Sequence, residues 1–171
     1  MESLRGKSRI HITGNAGSGK STLAKQLSNE LDLPLFGLDN IVWQPGWKQT
    51  PIEERRAKEL QIAEKTKWIV EGVSPTLREH ADVIIFLDVP RRKCLWRCAK
   101  RNLPYLFRSR PGLPEDCPEY KIIPRLVNII WNFRRLAGVN ILADMEKYDR
   151  EKTIIHIRQN ENAFEQIAEL A

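Results

Sequence analysis

The chain is predicted to adopt an α/β fold with a five-stranded parallel sheet, on three observations. The first is the stretch Gly14-Asn15-Ala16-Gly17-Ser18-Gly19-Lys20-Ser21, set between an apolar run, Arg9 to Thr13, and a helical pattern from Thr22 to Leu27. This is a strand, a glycine loop and a helix with the spacing G-x-x-x-x-G-K-[ST]. The second is the regular alternation of short apolar runs with helical patterns along the rest of the chain, which implies right-handed crossovers. The third is the run from Asp82 to Val89, almost wholly apolar, as a strand covered on both faces should be.

The elements follow in order. A first strand covers about Ser8 to Thr13, and a first helix runs from the glycine loop to about Leu31, ended by Asp32 and Pro34. Leu33 to Gly37 is a short strand that delivers Asp39, followed by a loop through Trp43-Gln44-Pro45-Gly46-Trp47. A helix begins at Pro51, a good first-turn residue, and runs to about Lys65. Lys67 to Glu71 is the third strand, stopped by Gly72, and Asp82 to Val89 the fourth. Pro90 opens a basic helix to about Arg101, and the proline-rich segment 102–118 reads as a long loop. Glu119 to Gly138 is helical, with Pro124 expected to kink its start; Val139 to about Tyr148 is another helix. Thr153 to Ile157 is the fifth strand and Asn160 to Leu170 a closing amphipathic helix.

Composition bounds the class. With 171 residues, 42% hydrophobic and 29% charged, the chain suits one globular domain. It has no apolar run near the ~20 residues of a membrane span and no apolar leader, so a cytoplasmic protein without a membrane partner is expected. The net charge of +6 rests on 28 basic and 22 acidic side chains, with arginines crowded between Arg91 and Arg135. Such an excess suits DNA, a membrane surface or polyphosphate. No DNA-reading motif is visible, so any nucleic-acid contact should be non-specific. Cys94, Cys98 and Cys117 read as buried free thiols; the alternative, zinc, lacks a C-x-x-C pair and a fourth ligand.

The chemistry centres on the glycine loop. Glycines let backbone N–H groups close around phosphate, and the helix N-terminus adds its positive end. Gly14, Asn15, Ala16, Gly17, Ser18, Gly19, Lys20, Ser21 and Thr22 are therefore the expected nucleoside triphosphate site. Lys20 is suited to the β- and γ-phosphates, and the Ser21 hydroxyl to Mg²⁺. Strands of a parallel sheet present their carboxyl ends to ligands, which adds Asp39, Glu71, Asp88 and the Arg158-Gln159-Asn160 turn to one crevice.

These stretches together resemble the adenylate-kinase-like branch of P-loop kinases, and more narrowly bacterial proteins labelled DNA topology modulation proteins. The matching residues are Gly14 to Ser21, Leu38-Asp39 with Trp43-Gln44-Pro45-Gly46-Trp47, and Trp68-Ile69-Val70-Glu71-Gly72. Further matches are Arg78 to Pro90, Arg97 with Arg101, and Arg110-Pro111 through Cys117-Pro118-Glu119. The resemblance implies sheet order 2-3-1-4-5, a substrate arm after strand 2 (about 38–66) and an arginine-bearing lid after strand 4 (loop about 102–118). It implies no settled substrate; taken with the glycine loop, the chain reads as an ATP- and Mg²⁺-dependent kinase of a small molecule, a nucleotide or nucleoside first. The alternative it leaves is a DNA-associated regulator that uses nucleotide binding as a switch.

Roles follow from strand ends and spacing. Glu71 is the favoured carboxylate for the Mg²⁺ shell, with Asp88 as the alternative. Arg97 and Arg101 share one face of the lid helix; the resemblance puts the first near adenine and the second on phosphates. Arg108 and Arg110 are placed to swing onto the transferring group, or else are simply solvated. Asp39 is the acceptor-side base, or else the cap of a short helix. Trp43 and Trp47 stack on a ring or cover core. One departure matters: where adenylate kinases place an arginine for the acceptor monophosphate, this chain has Gly72-Val73-Ser74-Pro75, with Arg78 as a substitute further along.

Overall fold

The computed structural model describes residues 4, 6–109, 113–158 and 163–169. The elements, in chain order, begin with β1 (Arg9–Gly14), α1 (Lys20–Leu31), β2 (Leu35–Gly37), α2 (Asp39–Val42), β3 (Trp43–Gln44) and β4 (Lys48–Gln49). They continue with α3 (Ile52–Ala63), β5 (Trp68–Glu71), α4 (Pro75–His80), β6 (Val83–Leu87) and α5 (Arg91–Asn102). The chain closes with α6 (Glu119–Phe133), α7 (Val139–Tyr148), β7 (Thr153–Ile157) and α8 (Ala163–Glu169).

Five parallel strands form one sheet in the order β2-β5-β1-β6-β7, while β3 and β4 make a separate antiparallel hairpin. With the hairpin set aside, the core strands run 2-3-1-4-5. β1 lies in the middle, pairing Ile10 with both Ile69 and Val83. Successive side chains on a strand face opposite ways, and the core divides accordingly. Val83, Ile85 and Leu87 pack on one face with Leu23 and Leu27 of α1, Cys94 of α5 and Ile130 of α6. Ile84 and Phe86 pack on the other with Ile62 of α3, Leu77 of α4 and Met145 of α7. The sheet is thus a middle layer between two helical ones, and the carboxyl ends of its strands open onto a common edge.

The structure departs from the sequence expectations in several places. Trp43 to Trp47, expected as a loop, form with Lys48 and Gln49 the β3–β4 hairpin around a tight turn at Pro45–Trp47. The α4 helix was not anticipated; Ser74 caps it by accepting the Leu77 N–H at 3.1 Å, with Pro75 at its start. The α6 helix runs on through Pro124 to Phe133, and residues Arg134–Gly138 form a wider, π-type turn that passes straight into α7. Of the expected closing helix, Ala163–Glu169 is described; Gln159 and Asn160 lie outside the described residues. Among the described residues, no helix is long and apolar enough to cross a membrane.

His11 of β1 is buried beneath the opposite face, its Nε2 3.1 Å from the Gly72 carbonyl oxygen. Burial, and then the nearby Arg78 guanidinium, push its pKa down from 6.5 to about 3. The folded protein therefore keeps His11 neutral while the unfolded chain takes up a proton near 6.5. The fold loses stability as pH falls from about 6.5 toward about 3, by at most ~1.4 kcal/mol per pH unit. Denaturant midpoints measured between pH 6.5 and 5, above most carboxylate titration, should fall less steeply for His11→Gln than for the parent. An identical slope would show that His11 is not the group responsible.

Candidate functional site

The glycine loop is packed tightly against its neighbours through its backbone. Gly14 and Gly17 take φ of 149° and 77°. A Cβ on Gly14 would sit 2.6 Å from the Leu87 carbonyl oxygen, and one on Gly17 2.4 Å from that of Cys94. Side chains are excluded at both positions by the chain's own backbone, which holds the loop against β6 and α5; its N–H groups lie at the N-terminus of α1, where an anion is favoured. Its back wall is α5, whose Cys94 and Cys98 are buried thiols in no disulfide among the described residues. Burial, then the neighbouring Cys98, raises the Cys94 pKa to about 11, so this thiol is a packing group.

Within the loop, Lys20 Nζ donates to the Asn15 carbonyl oxygen at 2.9 Å, and the Ser18 N–H donates to the same atom at 3.1 Å. The Ser21 hydroxyl donates to Glu71 Oε1 at 3.1 Å. That contact joins the two residues expected at Mg²⁺, and it arises because β1 and β5 are adjacent and in register. A hydroxyl and a carboxylate so placed suit a hydrated Mg²⁺, which keeps several waters and few protein ligands. Asn15 and Ser18 are buried behind the loop, and Asn15 Nδ2 donates to the Ile130 carbonyl oxygen of α6 at 2.9 Å.

From the loop a cleft of about 1230 Å³ extends between the arm and the α5–α6 side. Gly14, Ala16, Gly17, Gly19, Lys20, Ser21 and Thr22 line one end. Asp39, Trp43, Trp47 and Arg55 line it from the arm, Glu71 from the sheet, and Arg97 and Arg101 from α5. Ile122, Leu126, Ile129 and Phe133 of α6 give it an apolar wall. The structure therefore brings together Lys20, Ser21, Asp39, Glu71, Arg97 and Arg101. Asp39 stands first in α2, with Leu38 rather than Asp39 at the cap position.

Other expected residues lie elsewhere. Arg108 is exposed and does not line the cleft; its Nε donates to the Pro104 carbonyl oxygen at 3.1 Å and its guanidinium lies 5.2 Å from the Tyr105 ring. Arg110 is outside the described residues. Asp88 is exposed and faces His156 Nε2 at 3.3 Å, away from Ser21. Arg78 does not substitute for the missing acceptor arginine: it is 2% exposed and paired with Asp144 at 2.8 Å.

Two cleft residues were not singled out in the sequence. Arg55 lies one turn from Glu59 on α3, with Nε 3.7 Å from Oε1. Glu59 is itself buried and accepts the Ser74 hydroxyl at 2.7 Å, so one side of the Arg55 guanidinium is held while the residue lines the cleft. The i, i+4 spacing of Arg55 and Glu59 was a readable signal. Glu119, also buried, accepts from Asn102 Nδ2 at 2.9 Å, and Asn102 Oδ1 accepts from Arg101 Nε at 2.9 Å. This relay holds Arg101 at the cleft. The arm is braced across the opening: Trp47 Nε1 donates to the Pro118 carbonyl oxygen at 2.8 Å, and the Arg125 guanidinium lies 4.9 Å from the Trp43 ring. Trp43 and Trp47 meet edge to face with centroids 5.3 Å apart.

No protein-family model matches the chain. It is 37% identical over 104 residues to the uncharacterized protein YqaC of Bacillus subtilis (strain 168), an alignment covering 56% of this chain and 57% of that protein. The match thus spans little more than half of each. Shikimate kinase from Acinetobacter baumannii, solved with shikimate, is similar in structure with a TM-score of 0.55 at 16% identity, over 99% of this chain and 93% of that one. Deoxyadenosine kinase from M. mycoides, solved with dCMP and dCDP, gives 0.55 at 16% identity over 95% and 96%. None of the three carries the topology-modulation name. Both solved neighbours are P-loop kinases, and the likeness establishes the fold of this chain as the α/β, five-stranded parallel architecture they share.

Proposed function

We propose that the chain is a P-loop phosphotransferase that uses ATP and Mg²⁺ to phosphorylate a small molecule, with a nucleoside or nucleotide as the favoured acceptor class. The observation that carries this reading is the Ser21–Glu71 contact beside the glycine cradle, with Asp39 lining the same cleft from the opposite, arm side. A nucleotide switch has no need of a carboxylate on the arm. In this reading the whole chain, 1–171, is one kinase-like domain, residues 38–66 are the acceptor arm and 102–118 the lid loop.

ATP supplies the phosphoryl group, and Mg²⁺ offsets the charge on its phosphates. The chain's own residues do the rest. Residues 14–22 hold the phosphates through backbone N–H groups and Lys20; Ser21 and Glu71 order the metal's shell. Arg97 sits at the base side of the nucleotide. Asp39 orients the acceptor and takes its hydroxyl proton, Arg55 offers a cation to an acidic group on it, and the apolar wall of α6 excludes water. Arg101, held by Asn102 and Glu119, faces the charge that develops during transfer. The folds of shikimate and deoxyadenosine kinases support the reaction class, and they leave a hydroxyl-bearing acid and a nucleoside both compatible with this cleft.

The test is a screen of nucleosides, nucleotides and hydroxylated acids for acceptor-dependent ADP release. Release with any of them, lost in Lys20→Ala, is expected; ATP binding without transfer to any acceptor would favour the switch. Within the working assay, Arg101→Ala should lower turnover by about 10²-fold with a smaller change in ATP affinity, as for a donor that acts on the transition state. Arg108→Ala, outside the cleft, should change turnover less. A larger loss from Arg108 would mean that the lid loop carries the transition-state contact.

A further inference from the structure

The surface of the α5–α6 hairpin farthest from the sheet is apolar and strongly cationic at once. Trp96 of α5, opposite the buried Cys94 and Cys98, and Leu103 just past the end of α5 are 70% and 71% exposed. Phe107, just beyond, is 82% exposed and meets Tyr120 of α6 with ring centroids 5.9 Å apart. Along α6, Tyr120, Ile123, Val127 and Trp131 form a further exposed stripe, bordered by the buried Ile130 and turned away from the buried Ile122. Side chains of this size are not left in water over two adjoining helices without a use.

Charge points to the occupant. Residues 91–135 hold twelve lysines and arginines and three carboxylates, a net of +9 in a chain whose total is +6. Two of these cations, Arg97 and Arg101, belong to the cleft, and Arg125 leans on Trp43 of the arm; others adjoin the apolar stripe. Arg92 and Lys100 each lie four residues from Trp96, and the Arg91 guanidinium sits 3.9 Å from the Trp131 ring. Lysine and arginine interleaved with tryptophan and phenylalanine match the headgroup zone of an anionic bilayer, with apolar side chains entering the acyl boundary. The other occupants fit less well. A second copy of the chain would set one such basic surface against another, because an isologous interface uses the same patch twice. Nucleic acid would use the cations and could stack on the four aromatic rings, but it would leave Leu103, Ile123 and Val127 with no apolar surface to meet.

We propose that the outer surface of the α5–α6 hairpin docks the protein onto anionic lipid bilayers. Lying on a membrane needs no spanning helix, so the absence of one among the described residues is compatible with this. Docking would also place the lid side of the cleft next to the bilayer.

The test uses the full chain with vesicles of phosphatidylcholine alone and of phosphatidylcholine mixed equally with phosphatidylglycerol. Binding to the anionic vesicles is expected to be at least about tenfold tighter, and to weaken with salt without vanishing. The double variant Trp96→Ser, Phe107→Ser should lose at least about tenfold of that binding. Its ATP binding should stay intact, which reports that it is folded; Leu103→Ser alone is the second variant if it is not. A quencher placed in the bilayer should reduce tryptophan emission of the parent more than that of Trp96→Ser. No vesicle binding would overturn the proposal, as would binding that both variants leave untouched. So would finding that the same substitutions instead abolish a dimer seen by light scattering, or binding to an oligonucleotide.

Discussion

Lys20→Ala is expected to lower phosphoryl transfer by about 10²–10³-fold, the range typical of removing one preorganised charge-stabilising donor. The side chain is half-buried in the cleft, and it donates a hydrogen bond to the Asn15 carbonyl oxygen of its own loop. Its removal therefore strips no partner from the core, and the thermal midpoint should move little. What is lost is a cation beside the proposed phosphate site, in a cleft walled by α6, where water screens charge less than in bulk. ATP titration and acceptor-dependent ADP release, measured on the same folded preparation, check this together. Unchanged transfer in that variant would remove the glycine loop from the reaction.

What the sequence disclosed, and what it did not, follows from the range of the interactions involved. The loop was legible because its requirements are local: Gly14 and Gly17 are needed by their own φ values and by the strand and helix next to them in the chain. The sheet was legible because Val83 to Leu87 is buried on both faces and cannot be anything polar. The β3–β4 hairpin was not. Its strands are two residues long, Trp47 takes a positive φ of 59°, and the bond from Trp47 to Pro118 spans 71 positions. Nothing within Trp43 to Gln49 announces that contact. The α4 helix is a different case, since Ser74 followed by Pro75 is a good start signal; six residues were too few for a helical period to show.

The site divides in the same way. Ser21 and Glu71 were readable because strand ends in a parallel sheet converge. Arg97 and Arg101 were readable from their four-residue spacing. Glu119 was not, because it is an ordinary first-turn acid until Asn102, seventeen positions earlier, turns back to meet it. The wider turn at Arg134–Gly138 was also illegible. It follows Ile130, whose carbonyl oxygen accepts Asn15 from the far end of the chain, and no window of sequence contains both partners. Arg78 shows the converse error. An arginine at a suggestive distance from a strand end was assigned a substrate role, and Asp144 had already claimed it.

Asp39→Asn is expected to leave Mg-ATP affinity unchanged and to slow transfer at least roughly a hundredfold, within the range for general-base assistance. Asp39 stands at the start of α2, just past the carboxyl end of β2, and is exposed to the cleft. It belongs to the arm, so it is set to meet the acceptor rather than the phosphates in the glycine loop. Asparagine keeps the size and part of the hydrogen bonding but can neither carry charge nor accept a proton. A helix-capping role would survive the change, because Asn caps as well as Asp, and α2 in any case has Leu38 at its cap. The decisive comparison pairs hydroxyl acceptors with phosphate acceptors. With a hydroxyl, a proton must leave as the new oxygen–phosphorus bond forms, and the full loss should appear in turnover. With a phosphate already ionised, no proton is in play, and the loss should shrink to what orientation alone is worth. Unimpaired transfer to a hydroxyl would take Asp39 out of the chemistry and leave Arg55 and Arg101 as the groups that face the acceptor.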